Sequence, residues 1–426
     1  DVHEILPLEQ SRLTCLGRPA PGMARFAERI PDCSSMAGIV PTGANMRGMR
    51  PDWDIFCNVI DNYGDIGIAW RLARALKQAD AGTVRLWVDD LYAFRRIWPE
   101  IDPHADRQHS AGVEIRAWHT PFAPAEPARR VIEAFGCALP ENYLEAMAAQ
   151  TPPPVWVNLE YLSAESWVAT HHGLPSPHPR LPLTRFFFFP GYTPDTGGLP
   201  MERDYATRRA AFDAEAWRRA LALPPAGAGE IRVSLFAYEN PALPALLDAW
   251  AGGGEPVTCL VPEGRVLPQL AGWLGTSPLA PGAQHVRGSL RLVVLPFTDQ
   301  DRYDHLLWAC DLNFVRGEDS CVRAQWAGRP MVWQAYPQDA GAHWQKLEAL
   351  LALYGRDLPM PASEAVADLW RVWNGTPEAP SAGRAWPAWR AARPAIEAHA
   401  AVWPVTLAKA GTLADALADF AESRLK

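Results

Sequence analysis

The segment Trp53-Asp-Ile-Phe-Cys-Asn-Val-Ile60 runs directly into Asp61-Asn-Tyr-Gly-Asp-Ile-Gly67. Ile68–Gln78 follows, with Ile68, Ala69, Leu72, Ala73 and Leu76 at helical spacing. A short apolar run of this kind fills a parallel strand covered on both faces. Strand, glycine turn and amphipathic helix together are the opening unit of a doubly wound α/β sheet. The alternation continues. Further strands are expected at Thr83–Val88, which ends at Asp89-Asp90, at Val113–Trp118 and at Val155–Leu159, with helices over Pro127–Phe135 and Asn142–Ala149. Pro-rich connections fill Leu174–Pro200.

A second series of the same type then begins. Its strands are expected at Ile231–Phe236, Val257–Val261, Leu292–Leu295, Leu312–Val315 and Met331–Trp333. Its helices are expected at Pro241–Ala251, Arg302–Ala309, Ser320–Ala327 and Ala342–Tyr354. A Pro- and Trp-rich stretch, Pro377–Pro394, precedes a final helix, Leu413–Leu425, which Thr412 is placed to cap. A chain of 426 residues exceeds what one core usually serves. Two Rossmann-like halves separated by a cleft are therefore expected. Residues 1–50 lack this pattern. Met46 and Met49 suggest a later translation start, the upstream stretch being an extension or a disordered tail.

Composition narrows the function. The net charge of −8 argues against a nucleic-acid binder, and no apolar run reaches the 18 residues that a membrane span needs. The first residues, Asp-Val-His-Glu-Ile-Leu-Pro, carry neither a basic nor an apolar secretory region. Seven scattered cysteines without a CxxC point to neither a disulfide framework nor a zinc site. A cytoplasmic enzyme is the expectation.

Three loops carry the chemistry. Gly64-Asp65-Ile66-Gly67 stands where a dinucleotide fingerprint would stand, and Asp89 follows at a distance suited to a ribose-binding carboxylate. An NAD-dependent oxidoreductase is therefore a rival. GxGxxG is absent, however, and Asp65 would put a carboxylate where pyrophosphate should meet bare amides. Asp65 could be a plain helix N-cap. Asp61 and Asp65 flanking one turn at the carboxyl end of the first strand favour a catalytic use, since ligands bind there in this fold. In Phe314–Gln325, an apolar strand runs into Arg316-Gly317 and a helix opens around Ser320. Amides of Glu318, Asp319 and Ser320 with Arg316 would make a phosphate site, or Ser320 could simply cap the helix. The two carboxylates would oppose a phosphate unless they meet hydroxyls, protons or a metal. Phe297 and Tyr303 could sandwich a flat base while Gln300 bonds its edge, although alone this is a loop entering a helix.

The run Trp53–Gly67 with Trp70-Arg-Leu-Ala-Arg74 resembles the opening of the bacterial protein-arginine rhamnosyltransferases that modify translation elongation factor P. Asn158-Leu-Glu-Tyr-Leu-Ser-Ala-Glu165, Phe189-Pro-Gly-Tyr192 with Thr196-Gly-Gly-Leu199, Ser234-Leu-Phe-Ala-Tyr-Glu-Asn240 and Phe314–Trp333 resemble that family's later motifs in order. The resemblance spans about residues 51–425. It implies a metal-independent, inverting GT-B glycosyltransferase that uses dTDP-β-L-rhamnose, with elongation factor P as acceptor. An acceptor half at 51–200, with the helix 405–426 packed back on it, would face a nucleotide-sugar half at 226–400. By position, Asp65 matches the general base, Asp61 its essential neighbour and Glu318 a second essential carboxylate. Phe297, Gln300 and Tyr303 fall on the thymidine pocket, and Arg316, Asp319, Ser320 and Tyr336 on the diphosphate site. Tyr192 falls near the sugar. Tyr303 departs from the Phe that relatives often carry, and keeps the stacking face. A sugar-nucleotide epimerase is a further alternative, but none of the four lysines makes the Tyr-x-x-x-Lys pair it would need.

Overall fold

The computed structural model describes residues 50–60, 63–79, 82–225, 227–338 and 341–425. The first 49 residues, and with them the expected extension, lie outside these, as does Asp61. In chain order the first half runs β1 (Trp53–Cys57), α1 (Gly64–Gln78), β2 (Val84–Val88), α2 (Leu91–Ile97), β3 (Arg107–Ser110), β4 (Val113–Ala117), β5 (Arg130–Ala134), α3 (Glu141–Ala148), β6 (Val155–Leu159), α4 (Trp167–His171), β7 (Pro175–Pro177) and β8 (Thr184–Phe188). Among the described residues these strands form one sheet in the order β3-β4-β2-β1-β5-β6-β8-β7. It is parallel except for the antiparallel edge pairs β3–β4 and β7–β8.

The second half runs α5 (Tyr205–Ala210), α6 (Ala214–Ala220), β9 (Ile231–Leu235), α7 (Leu243–Ala251), β10 (Val257–Pro262), α8 (Leu267–Leu274), β11 (Gln284–Arg287), β12 (Leu290–Leu295), α9 (Gln300–Ala309), β13 (Leu312–Arg316), α10 (Asp319–Ala327), β14 (Met331–Gln334), α11 (Ala342–Tyr354), α12 (Met360–Trp373), α13 (Ala382–Leu407) and α14 (Leu413–Leu425). Its sheet has the order β11-β12-β10-β9-β13-β14. In both sheets the first strand lies centrally and the chain winds outwards to either side. The turn after β1 and the turn after β13 therefore stand at carboxyl strand ends, where such sheets bind ligands.

One expectation is corrected, and one stretch left without an element gains one. Pro127–Phe135 is not a helix. Arg130–Ala134 is the strand between β1 and β6, and the β-branched Val131 and Ile132 are fully buried there. The Pro- and Trp-rich stretch Pro377–Pro394, to which the sequence assigns no element, forms one. From Ala382 it belongs to α13, which runs through Pro387, Pro394 and Pro404. Each internal proline removes a backbone hydrogen bond. Burial of Trp386, Trp389, Ile396 and Trp403 against the core of the second half offsets that loss.

After α13 the chain crosses back to the first half. Leu413, Ala414, Leu417 and Ala421 of α14 join the core beneath the first sheet. Thr412 caps α14, its hydroxyl accepting from the Asp415 amide at 3.2 Å. The two crossing segments touch, with the Leu413 amide donating to the Leu199 carbonyl at 2.9 Å. Gly198, at φ +66°, is required at this crossing, because a Cβ would lie 2.5 Å from the Gly411 carbonyl oxygen.

Charges also bind the halves together. Arg71 and Arg74 of α1 reach across to Glu202, each at 2.9 Å. Arg323 of α10 meets Glu202 at 2.7 Å and also pairs with Asp304 of α9 at 2.5 Å. Burial alone would raise the Glu202 carboxyl, but Arg323, Arg71 and Arg74 hold it well below the usual carboxylate range. Removing one partner from such a buried cluster costs about 3–5 kcal/mol, because the remaining charge stays buried.

Candidate active site

Asp65 lies in the first turn of α1 and is 2% exposed. It is not the N-cap. Tyr63 occupies that position without a side-chain cap, and Asp65 Oδ2 instead accepts from the Ile60 amide at 2.9 Å. Its Oδ1 accepts from the Tyr161 hydroxyl at 3.1 Å. Tyr161 follows β6 and stacks on Phe135, with ring centres 4.6 Å apart. The carboxylate is thus held from both sides in the first turn of a helix.

Glu318 faces it from the second half. It is the N-cap residue of α10, with no side-chain cap, and Oε1 accepts from the Leu162 amide at 3.0 Å. Burial pushes its carboxyl up to about 8, with Asp65 and Asp319 adding to the rise and the Leu162 amide and Lys346 opposing it. Burial therefore favours the protonated form of Glu318 over a wider pH range than for a free carboxyl. Asp65, Glu318, Tyr192 and Tyr336 all line one cavity of about 300 Å³, together with Tyr161, Leu162, Trp333, His343 and Lys346. Tyr192 accepts from Gln325 Nε2 at 3.0 Å.

A smaller cavity of about 80 Å³ adjoins the first, sharing Gly64, Gly317 and Glu318 with it. Phe297, Gln300, Tyr303, Arg316, Asp319 and Ser320 line it, with Phe236 and Tyr238. The Arg316 guanidinium lies over Phe236 at 4.5 Å and over Tyr238 at 4.4 Å. Ser320 sits in the first turn of α10 rather than at its cap. Its hydroxyl accepts from the Arg316 amide at 3.0 Å and donates to the Arg316 carbonyl. Tyr303 packs against Phe236 at 5.4 Å, and burial raises its phenol.

Gln300 is engaged across the cleft. Its Nε2 donates to the Gly67 carbonyl at 2.9 Å, and its Oε1 accepts from Arg74 at 3.4 Å. Phe297 makes an edge contact with Tyr63 at 5.5 Å and carries the Arg96 guanidinium over its face at 4.4 Å. Asp89 does not face either cavity; it accepts from the Val59 amide at 2.9 Å and steadies the loop after β1. Among the described residues, no group of three or more His, Cys, Asp or Glu side chains is arranged to hold a metal ion.

The cluster joins residues from widely separated segments of the chain. Sequence reasoning did not assign Tyr161, Leu162, Phe236, Tyr238 or Arg71, although all lie inside runs singled out there. The family model for elongation factor P (EF-P) rhamnosyltransferase EarP matches residues 53–422. The chain belongs to the EarP family. It is 50% identical to a protein-arginine rhamnosyltransferase of Pseudomonas putida, over 88% of this chain and all of that protein. It is 51% identical to the Pseudomonas aeruginosa protein of the same name, over 76% and 86% of the two chains. The Shewanella oneidensis relative of that name is 40% identical, over 86% and 97%. A solved structure from work on EarP-mediated arginine glycosylation of translation elongation factor EF-P superposes with a TM-score of 0.61. It is 36% identical, over 88% of this chain and 99% of that one. The two Rossmann-like halves are thus the GT-B arrangement of an EarP glycosyltransferase. Membership of this family removes the oxidoreductase and epimerase alternatives. No helix among the described residues is long and apolar enough to cross a membrane.

Proposed function

We propose that this EarP-family chain moves L-rhamnose from dTDP-β-L-rhamnose to an arginine of elongation factor P, with inversion and without a metal. One observation carries this reading. Two carboxylates, Asp65 and Glu318, line a cavity that opens directly onto the Arg316–Ser320 turn. A cavity with paired carboxylates suits a guanidinium, and a helix N-terminus beside an arginine suits a leaving diphosphate.

In the proposed reaction a guanidinium nitrogen attacks the anomeric carbon from the face opposite the diphosphate. The carbon–nitrogen bond forms as the carbon–oxygen bond to phosphate breaks, and dTDP departs with the electron pair. Arg316 and the amides of α10 absorb the leaving charge. A free guanidinium gives up its proton only far above neutral pH, so an aspartate cannot deprotonate it beforehand. Asp65 therefore takes the proton late, once bond formation has made that nitrogen acidic. Glu318 releases its own proton to solvent as the guanidinium enters and then pairs with it. Phe297 and Tyr303 would stack on thymine, and Tyr192 would contact the sugar. Gln300 would have to leave the Gly67 carbonyl, or share it, to bond the base edge.

Mass spectrometry tests this directly. Elongation factor P incubated with the enzyme and dTDP-β-L-rhamnose should gain one deoxyhexose on one arginine. An unmodified factor, with the enzyme folded and dTDP-rhamnose intact, would exclude the proposed acceptor or donor.

A further inference from the structure

Two carboxylates stand at the start of α10, and both would repel a diphosphate bound there. For Glu318 the repulsion is eased because burial favours its protonated form. Asp319 is neutralised differently. Its Oδ1 receives Arg71 Nε at 2.6 Å, and its Oδ2 lies 3.4 Å from Gln300 Nε2. Arg71 belongs to α1 in the opposite half, on the same helix as Asp65, and its side chain is 1% exposed. The rest of its fork turns away. Nη1 donates to Glu202 at 2.9 Å, and Nη2 lies 3.9 Å from Asp304. Glu202 keeps Arg74 and Arg323 without it, and Asp304 keeps Arg323 and Arg208. Asp319 has no other ion-pair partner among the described residues.

We infer that Arg71 is a positioning residue for the donor, reaching across the cleft to neutralise and aim Asp319 so that the Arg316–Ser320 turn accepts a diphosphate. The inference rests on the reading that the donor's diphosphate occupies this turn. Electrostatics makes the effect large. An uncompensated carboxylate beside a diphosphate, in a partly dry cleft, opposes binding far more than it would in water. The contact also links the two substrates' sites, because the helix that carries Asp65 also carries the cation that prepares the phosphate turn.

The test is a double-mutant cycle on dTDP binding by calorimetry, with the melting temperature of every variant recorded. Arg71→Ala should weaken dTDP about tenfold or more and raise the donor KM in parallel, while kcat changes by no more than about threefold. Adding Asp319→Asn should restore affinity to within about threefold of Asp319→Asn alone, since the charge that Arg71 screens is then gone. A folded Arg71→Ala protein that binds dTDP like wild type overturns the inference. So does a double variant as weak as Arg71→Ala, because Arg71 would then act by packing. If Arg71→Ala does not fold, Arg71→Gln enters the same cycle. Should no uncharged residue at position 71 fold even with Asp319→Asn, Arg71 serves the fold alone and the inference fails. Wild-type protein that binds no dTDP would instead sink the underlying donor-site reading.

Discussion

The Tyr161 hydroxyl donates to Asp65 Oδ1 at 3.1 Å, while the amide of the adjoining Leu162 donates to Glu318 Oε1 at 3.0 Å. One dipeptide after β6 therefore holds a carboxylate from each half of the molecule. It ties their relative position to one loop. Tyr161→Phe keeps the stack on Phe135 and loses the hydroxyl alone. Its kcat should fall by about tenfold, the scale of losing an orienting hydrogen bond to a charged group. Its dTDP affinity should match wild type, because Tyr161 lines the larger cavity and not the smaller. A dTDP defect equal to the rate defect would place Tyr161 in donor binding instead.

Glu318 makes the protein pH-sensitive with a definite sign. Its carboxyl is raised from 4.5 to about 8 in the folded chain. The stability it contributes is fully present below 4.5 and is lost as the pH rises through about 8. Glu318→Gln mimics the protonated form, so it should melt with wild type at pH 5 and above it at pH 9. Acceptor binding should show the opposite trend. A guanidinium prefers the ionised carboxylate, so the wild-type acceptor KM should drop as pH rises towards 8, and Glu318→Gln should flatten that dependence.

Gly67 tests how tightly the halves meet. A Cβ there would lie 3.2 Å from both Asp319 Oδ2 and Gln300 Nε2. Gly67→Ala must push these side chains by a few tenths of an ångström while improving helix propensity in α1. Donor KM should rise several-fold, and the melting temperature should change by no more than a few degrees. Unchanged donor kinetics would show that the phosphate turn tolerates the shift.

The metal question has a direct answer. Neutralisation of the leaving diphosphate is assigned to Arg316 and the α10 amides, so transfer should survive EDTA. Activity lost on chelation and restored by Mg²⁺ or Mn²⁺ would overturn that assignment.

Much of this was legible in the sequence, for physical reasons. Parallel strands buried on both faces read as apolar runs, so β6 and β10 stand out with nearly their observed bounds, while the run of β1 overshoots to Ile60. The exceptions have causes too. Arg130–Ala134 is five residues long with charges at positions one and four, too short for either periodicity to decide. The prolines of α13 argue for a loop locally, and only burial of its tryptophans overrides them. At the site, glycine turns and acidic residues at strand ends marked Asp65 and Arg316–Ser320. The Arg71–Asp319 pair joins residues 248 apart, and no local pattern encodes such a partner. Gln300 likewise reads as a base-binding amide, yet its Nε2 donates to the Gly67 carbonyl in the other half.

The last prediction separates chemistry from donor binding. Asp65 faces the larger cavity, held by Ile60 and Tyr161, whereas Arg316 lies in the smaller one between Phe236 and Tyr238. Asp65→Asn preserves size and one acceptor oxygen but removes the negative charge and the proton acceptor. Its transfer rate should fall by about a hundredfold or more, the usual scale for losing a general base. Its dTDP affinity should hold, since the proposal places the nucleotide against the other half. Arg316→Ala should do the reverse in binding, weakening dTDP strongly because a charge-assisted contact to phosphate is lost. Rates measured at saturating donor, with dTDP affinities taken by calorimetry, distinguish the two. An Asp65→Asn protein with normal turnover, or one whose only defect is in dTDP binding, would reduce Asp65 to a tether for the Ile60 amide at the start of α1.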